Sequence, residues 1–392
     1  MEETLKDIKT AIERSGFPLE HYIGLVLKQH GWQIITNRNY IDDVKGVERE
    51  IDILAYKLYS DKTENIDYVT TLIISCKKSD KYKWCFLTRN LDREDESNIN
   101  FMPFHYCTSD ERLSFMTDNY PDAIFSEYKK QANIRSLYNF DNKMMFAYQQ
   151  LSSAANDTER AQKGNIYIGK NDDIYNSIST TIKAISNEKK RVIDACNDDT
   201  LLEYHTFYAI SVFEGEMYEA NFDSNSVVDV KPVLDIKYLN RHIVDSADDF
   251  YLVHFINRDI FDDRLALFDE IHNENVRTIP TFISEFYKDI FNDRHKVYMF
   301  ERPCSLDICY HIELLANCGT HRMPTQSPLS MLSYTLKNGI LELGINDSYY
   351  HSDEMLNELN SNEALRKEVG ALLQEYYRYS GEFVFTKGLR LY

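Results

Sequence analysis

The chain has 392 residues, 43% hydrophobic and 13% aromatic, with only 13 Gly and 8 Pro; this exceeds the usual size of one hydrophobic core and excludes a small single domain, a collagen-like chain and a disordered one. Its 44 Lys and Arg face 63 Asp and Glu, a formal net charge of -19, which argues against non-specific coating of nucleic acid, because phosphate neutralisation needs a cationic surplus. The deficit is unevenly placed: residues 1–90 carry 14 Lys and Arg against 14 Asp and Glu, so all of it falls in residues 91–392.

Residues 17–30 predict a helix, with Pro18 in its first turn, Ile23 and Leu27 at helical spacing and Gly31 as its stop. GWQIITNRNYI, REIDILAYKLY and YVTTLIISCKK predict a three-strand meander, the first two strands joined by a polar turn around Asp42, Asp43 and Gly46. Residues 91–135 read as irregular with short helices, 136–155 as helix, and 172–196 as a long amphipathic helix. YHTFYAISVF, EMYEANF, VDVKPVLDIKYL and FYLVHFI then read as strands, Glu214-Gly215 as a hairpin turn and 259–275 as a helix. Beyond residue 276 come helical patches at 305–317 and 353–379 and a strand pair at 383–392. The expected organisation is a mixed α/β protein, with a core over 1–150, a helix plus β-rich extension over 151–275 and a mostly helical accessory region over 276–392.

No apolar run is long enough for a membrane span, and the opening MEETLKDIKTAIERSG lacks the basic and apolar regions of a signal peptide. A cytoplasmic protein is expected, and its seven scattered cysteines fit reduced thiols.

The chemistry-bearing residues cluster in the first 90 positions. Side chains alternate along a strand, so Glu50 and Asp52 are expected to share a face opposite Ile51 and Ile53, and Ser75 and Lys77 a face opposite Ile74 and Cys76. Adjacent strands would then set Asp52 beside Lys77. Glu20 lies on the face of the 17–30 helix that carries Ile23 and Leu27, so its carboxyl turns toward the core and needs a partner or a metal. The competing reading is the polar face of a half-solvated sheet. Lys78, Lys81, Lys83 and Arg89, interleaved with Tyr82, Trp84 and Phe86, form a strip suited to a phosphate backbone, or else a solvated strand end with Trp84 in the core.

Over residues 15–90 the order helix acid, strand acid, strand lysine resembles the PD-(D/E)XK nuclease superfamily, within it the Mrr-like and defence-effector nucleases. The resemblance rests on GFPLEHYIGLVLKQHGW, EREIDILAY and LIISCKKSDKYKWCF. It implies a restriction-endonuclease-like core with a central mixed sheet flanked by helices. It further implies an Mg²⁺- or Mn²⁺-dependent endodeoxyribonuclease in which Asp52, Glu20 and the Cys76 backbone carbonyl hold the metal and Lys77 assists catalysis. Where members commonly read E-C-K, this chain reads Ser75-Cys76-Lys77, and a hydroxyl is a far weaker Mg²⁺ ligand than a carboxylate. Glu50 is the candidate to supply the missing carboxylate. The resemblance also implies double-stranded DNA as substrate, an antiphage defence role, and a protein partner or homo-oligomer that restrains activity. The alternative is a nuclease fold that has lost its chemistry at Ser75 and serves as a nucleic-acid or protein scaffold.

Other signals are weak. Cys304, Cys309, His311, Cys318 and His321 lack common zinc spacing and read as buried thiols and isolated histidines. No G-x-x-x-x-G-K-[ST], G-x-G-x-x-G or H-E-x-x-H is present.

Overall fold

In the computed structural model the described residues are 2–42, 46–91, 101–137, 143–152, 166–195, 202–223, 226–244, 247–315, 332–346 and 351–388. They form two compact units, Met1–Pro280 and Thr281–Tyr392.

The first unit opens with helices α1 (Glu2–Glu13) and α2 (Phe17–Gln29), then the antiparallel strands β1 (Gln33–Asp42), β2 (Val47–Asp61) and β3 (Ile66–Lys78). Residues 66–76 of β3 are buried without interruption, the mark of a central strand covered on both faces. Its other edge pairs in parallel with β8 (Leu202–Glu214), from Ile66 opposite Leu202 to Lys78 opposite Glu214. The far edge of β8 is shared. Its first half takes the short antiparallel β5 (His105–Thr108) and its second half the parallel β12 (Ala247–Asn257), beyond which lies β11 (Asp235–Val244).

Helix α6 (Asp172–Ala195) covers one face, with Ile174, Ile178, Ile182 and Ile185 in a core shared with Ile73, Phe207, Ala209 and Val253. The opposite face carries α2 and α7 (Phe261–Tyr287), whose Phe268 ring meets Tyr208 and whose His272 bonds Thr70. Asp269 of α7 ties this layer together: it accepts from Trp32 Nε1 at 2.8 Å, Lys57 Nζ at 2.7 Å and His30 Nδ1 at 2.5 Å. The short helices α3 (Glu111–Asn119), α4 (Pro121–Lys130) and α5 (Ala132–Leu137) lie in the region expected to be irregular with short helices, which also contributes strand β5.

A second sheet is ordered β10-β9-β4-β6-β7, from β10 (Ser226–Pro232), β9 (Met217–Asp223), β4 (Tyr82–Asn90), β6 (Lys143–Ser152) and β7 (Tyr167–Ile168). The parallel pair β3/β8 bends at residues 79–81 and 215–216 and continues as the parallel pair β4/β9, with Ser79 N–H donating to the Glu214 carbonyl and Trp84 N–H to the Glu216 carbonyl. Glu214-Gly215 is therefore a crossing between sheets and not the expected hairpin turn. A Cβ on Gly215 would stand 2.5 Å from the Phe213 ring and 2.8 Å from the Ser79 carbonyl. That ring cannot yield, being stacked on Trp84 with centroids 3.9 Å apart.

Three further expectations change. The 136–155 helix is, over its described residues, mainly strand β6, because pairing with β4 overrides the local preference of KMMFAYQQLS. VDVKPVLDIKYL divides into β10 and β11, which belong to different sheets, with Pro232 ending the first. The terminal strand pair reduces to β15 (Phe383–Lys387), and residues 389–392 lie outside the described residues.

In the second unit, α8 (Arg294–Leu315), α9 (Asp353–Ser361) and α10 (Glu363–Tyr377) accompany a sheet of β13 (Leu332–Lys337), β14 (Ile340–Ile345) and β15. Asn338 and Gly339, both at positive φ (53° and 81°), make the tight turn of the β13–β14 hairpin. Cys304 and Cys309 are buried on α8, while Cys318 and His321 lie outside the described residues. No helix among the described residues is long and apolar enough to cross a membrane.

Candidate active site

Strand alternation breaks where the site is built. Ile34 of β1 lies against α2, its Cδ1 3.2 Å from where a Gly24 Cβ would stand. Arg38 and Tyr40, four and six residues on, instead bond Glu188 and the Thr180 carbonyl of α6. The strand exchanges faces at Asn37, held at φ 54°, a conformation Asn tolerates better than most residues. Across the ladder Ile53 sits opposite Thr36 and Ile51 opposite Arg38. Both isoleucines are buried, on opposite faces, and not on one face as alternation predicts. Asp52 occupies the point of exchange.

The β2–β3 ladder reaches only to Ile53 opposite Ile74, and there the Asp52 side chain replaces backbone pairing. Its Oδ2 accepts the Cys76 backbone N–H at 2.6 Å, the Ser75 hydroxyl at 3.2 Å and Lys77 Nζ at 3.4 Å. Lys77 Nζ also donates to the Cys76 carbonyl at 3.2 Å. Three donors on one oxygen hold the carboxylate in place. Sequence order alone brought Asp52, Ser75 and Lys77 to adjacent strands, and the structure brings them together.

Glu20 on α2 is half-buried, and its carboxyl pKa is raised, first by burial and then by the Asp52 charge; Lys77 opposes the shift and Glu50 adds to it. Asp52, Lys77 and Glu50 therefore all lie within electrostatic reach of Glu20. Glu50 itself is exposed on β2 opposite Asn39. Ser75 is fully buried, its proton directed at Asp52. The Cys76 thiol is buried and pushed well above its ordinary pKa, by burial first and Asp52 second, so it is not a thiolate nucleophile.

The donor set consists of hard oxygens, the chemistry Mg²⁺ and Mn²⁺ select, and a carboxyl whose pKa is raised by neighbouring carboxylates, as at Glu20, is one whose ionisation a divalent cation would favour. Glu20, Asp52, Glu50 and the Cys76 carbonyl offer oxygens of that type. Among the described residues, no three His, Cys, Asp or Glu side chains converge into a ready metal cluster.

The basic strip is divided by the crossing between sheets. Trp84 and Phe86 are buried in the core. Lys78 pairs with Glu214 at 2.7 Å and donates to the Glu13 carbonyl, and Lys83 pairs with Glu216. Lys81 and Arg89 are exposed, over the rings of Tyr82 and Phe146 at 5.2 and 5.8 Å. Sequence reasoning did not find Ser211 of β8. It lies opposite Ser75 in the parallel register and is fully buried, and its hydroxyl has no partner among the described residues. Only the β3–β8 pairing, made across more than a hundred residues, reveals it.

No protein-family model matches the chain, and neither the curated proteins nor the solved structures provide a match.

Proposed function

We propose that the chain is a metal-dependent endonuclease that hydrolyses DNA phosphodiester bonds at the Asp52–Lys77 site. The observation that carries the reading is the Asp52 carboxylate, set where β2 and β3 stop pairing and contacted by Ser75, Cys76 and Lys77, with Glu20 destabilised beside it. Mg²⁺ or Mn²⁺ held by Asp52, Glu20, Glu50 and the Cys76 carbonyl would polarise a scissile phosphate and acidify a water. Lys77 would meet the negative charge that builds on the phosphate, its ammonium already fixed by Asp52 and the Cys76 carbonyl. Exposed Lys81 and Arg89 would meet the backbone of a DNA duplex. An antiphage role, with restraint by a protein partner or by self-association, rests on the resemblance of residues 15–90.

The test is plasmid nicking by the purified chain with Mg²⁺ or Mn²⁺, compared with Asp52→Ala, Lys77→Ala and an EDTA control. Metal-dependent cleavage lost in both variants supports the reading, and full activity in Asp52→Ala refutes it. One observation favours a second reading, a binding scaffold without catalysis: Asp52 Oδ2 is already saturated by three donors, one of them Ser75. Calorimetric Mn²⁺ binding that vanishes in Asp52→Ala would speak against that scaffold.

A further inference from the structure

The edge of β8 forks. His105 of β5 sits opposite Phe207, and β12 joins the same edge only from Val253 opposite Ala209. Residues 249–251 of β12 therefore precede its pairing with β8, and a cavity of about 360 Å³ opens beside them. Its lining includes Phe101, Tyr106 and Phe250, with His105, Asp249 of β12 and Lys189 of α6. The volume is in the range of small-ligand sites, roughly 300–1,000 Å³. An adjoining cavity of about 220 Å³ shares Phe101 and Tyr106.

The polar groups of this cavity are not a self-contained set. His105 Nε2 lies 3.1 Å from the Phe250 carbonyl; a carbonyl only accepts, so Nε2 carries the hydrogen. Burial pushes the His105 pKa down to about 4, against the opposing pull of Asp249. Burial disfavours the charged ring, and in the neutral tautomer set by the Nε2 bond Nδ1 is an acceptor. That nitrogen lies 3.5 Å from Asp249 Oδ2, so two acceptors face each other. The ring's plane is set by stacking on Tyr251, with centroids 4.0 Å apart, and its rotation by the Nε2 bond to the Phe250 carbonyl. A hydrogen-bond donor brought by a ligand satisfies both acceptors at once.

We propose that this fork binds an amino-substituted nucleobase carrying a phosphate. The base stacks among Phe101, Tyr106 and Phe250, as bases do on aromatic side chains. Its exocyclic amino group donates to His105 Nδ1 and Asp249. The phosphate meets the Lys189 ammonium. The site lies four residues along β8 from Ser211, roughly 13 Å at about 3.3 Å per residue, and on the edge of β8 away from β3. It does not depend on the nuclease reading.

Free mononucleotide and the base of a nucleic-acid strand share this chemistry, and calorimetry on the full chain separates them. The ligands are adenosine 5′-monophosphate, adenosine and a short oligo-dA strand, each titrated into wild type, Asp249→Ala and Lys189→Ala. The Asp249 side chain is half exposed, and melting curves check that each variant is folded. Saturable binding of the monophosphate is expected, weakened about tenfold or more by either substitution; adenosine should respond to Asp249→Ala alone. A mononucleotide that binds more tightly than the strand marks a free nucleotide as the ligand, and the reverse order marks a strand. No saturable binding at millimolar monophosphate, or affinities unchanged in both variants, overturns the proposal.

Discussion

Asp52 and Asp269 each draw three hydrogen-bond donors onto one carboxylate, yet their surroundings differ in charge balance. Asp269 joins α7 to α2 and β2 through Trp32, Lys57 and His30; with Asp262 also on His30, two acids meet two bases. At the other site Glu20 feels the charges of Asp52 and Glu50, opposed by Lys77. A balanced cluster is a staple that needs nothing further. An acid-rich cluster at the end of a strand ladder leaves negative charge to be met from outside, and this difference separates a structural ion cluster from a candidate metal site when donor counts are equal.

The sharpest way to break the comparison is functional. Asp52→Ala or Lys77→Ala should reduce metal-dependent cleavage by about a thousandfold or more, while Asp269→Ala lowers it only as far as the fold is lost; equal activity losses at matched stability would erase the distinction. The next effect is thermodynamic. Asp269→Ala leaves Lys57, His30 and the Trp32 N–H without their shared acceptor and should destabilise by about 2–4 kcal/mol in urea unfolding. Gly215→Ala should cost about 1–3 kcal/mol, because the new methyl meets a fixed ring and a backbone carbonyl at the sheet crossing; a neutral result would disprove the tight crossing.

The pH dependences have signs that can be worked out. The His30 pKa is raised, chiefly by its hydrogen bond to Asp269, so its contribution is complete below the unfolded value of about 6.5 and is lost as pH rises through the folded value. The melting temperature of wild type relative to His30→Gln should therefore fall between pH 6 and 9. Glu20 has the smallest effect. Its raised pKa means that ionisation costs stability once pH exceeds the unfolded value, so Glu20→Gln should melt slightly higher than wild type at pH 7 without metal. Added Mn²⁺ should stabilise wild type more than the variant, and an equal response in both would remove Glu20 from the cation's reach.

Much of the site was legible because its residues are close in sequence. An acid on one strand and a lysine on the next, with a single turn between them, can be placed by pairing and alternation, and Asp52, Ser75 and Lys77 meet accordingly. Alternation failed at Ile51 and Ile53 because Asn37, on the neighbouring strand, reverses the faces. Glu214-Gly215 was misread because a crossing between sheets and a hairpin present the same local string, two alternating runs around a glycine. Only the identity of the partner strand tells them apart.

The sequence by itself determined α2, α6, the first half of α7 and the β1–β3 meander, since hydrophobic periodicity and turn residues act within a dozen positions. It also determined the acid and lysine content of the site and the unequal distribution of charge. Tertiary structure alone decided the β3–β8 pairing, the bend that carries that pair into a second sheet, the buried row of Ser75 and Ser211, and the meeting of His105, Lys189 and Asp249 at one fork. Those residues are separated by about sixty to more than a hundred positions, and no local propensity encodes which distant strand fills an edge. That choice is made by the burial of apolar side chains between helix and sheet, a property of the whole core.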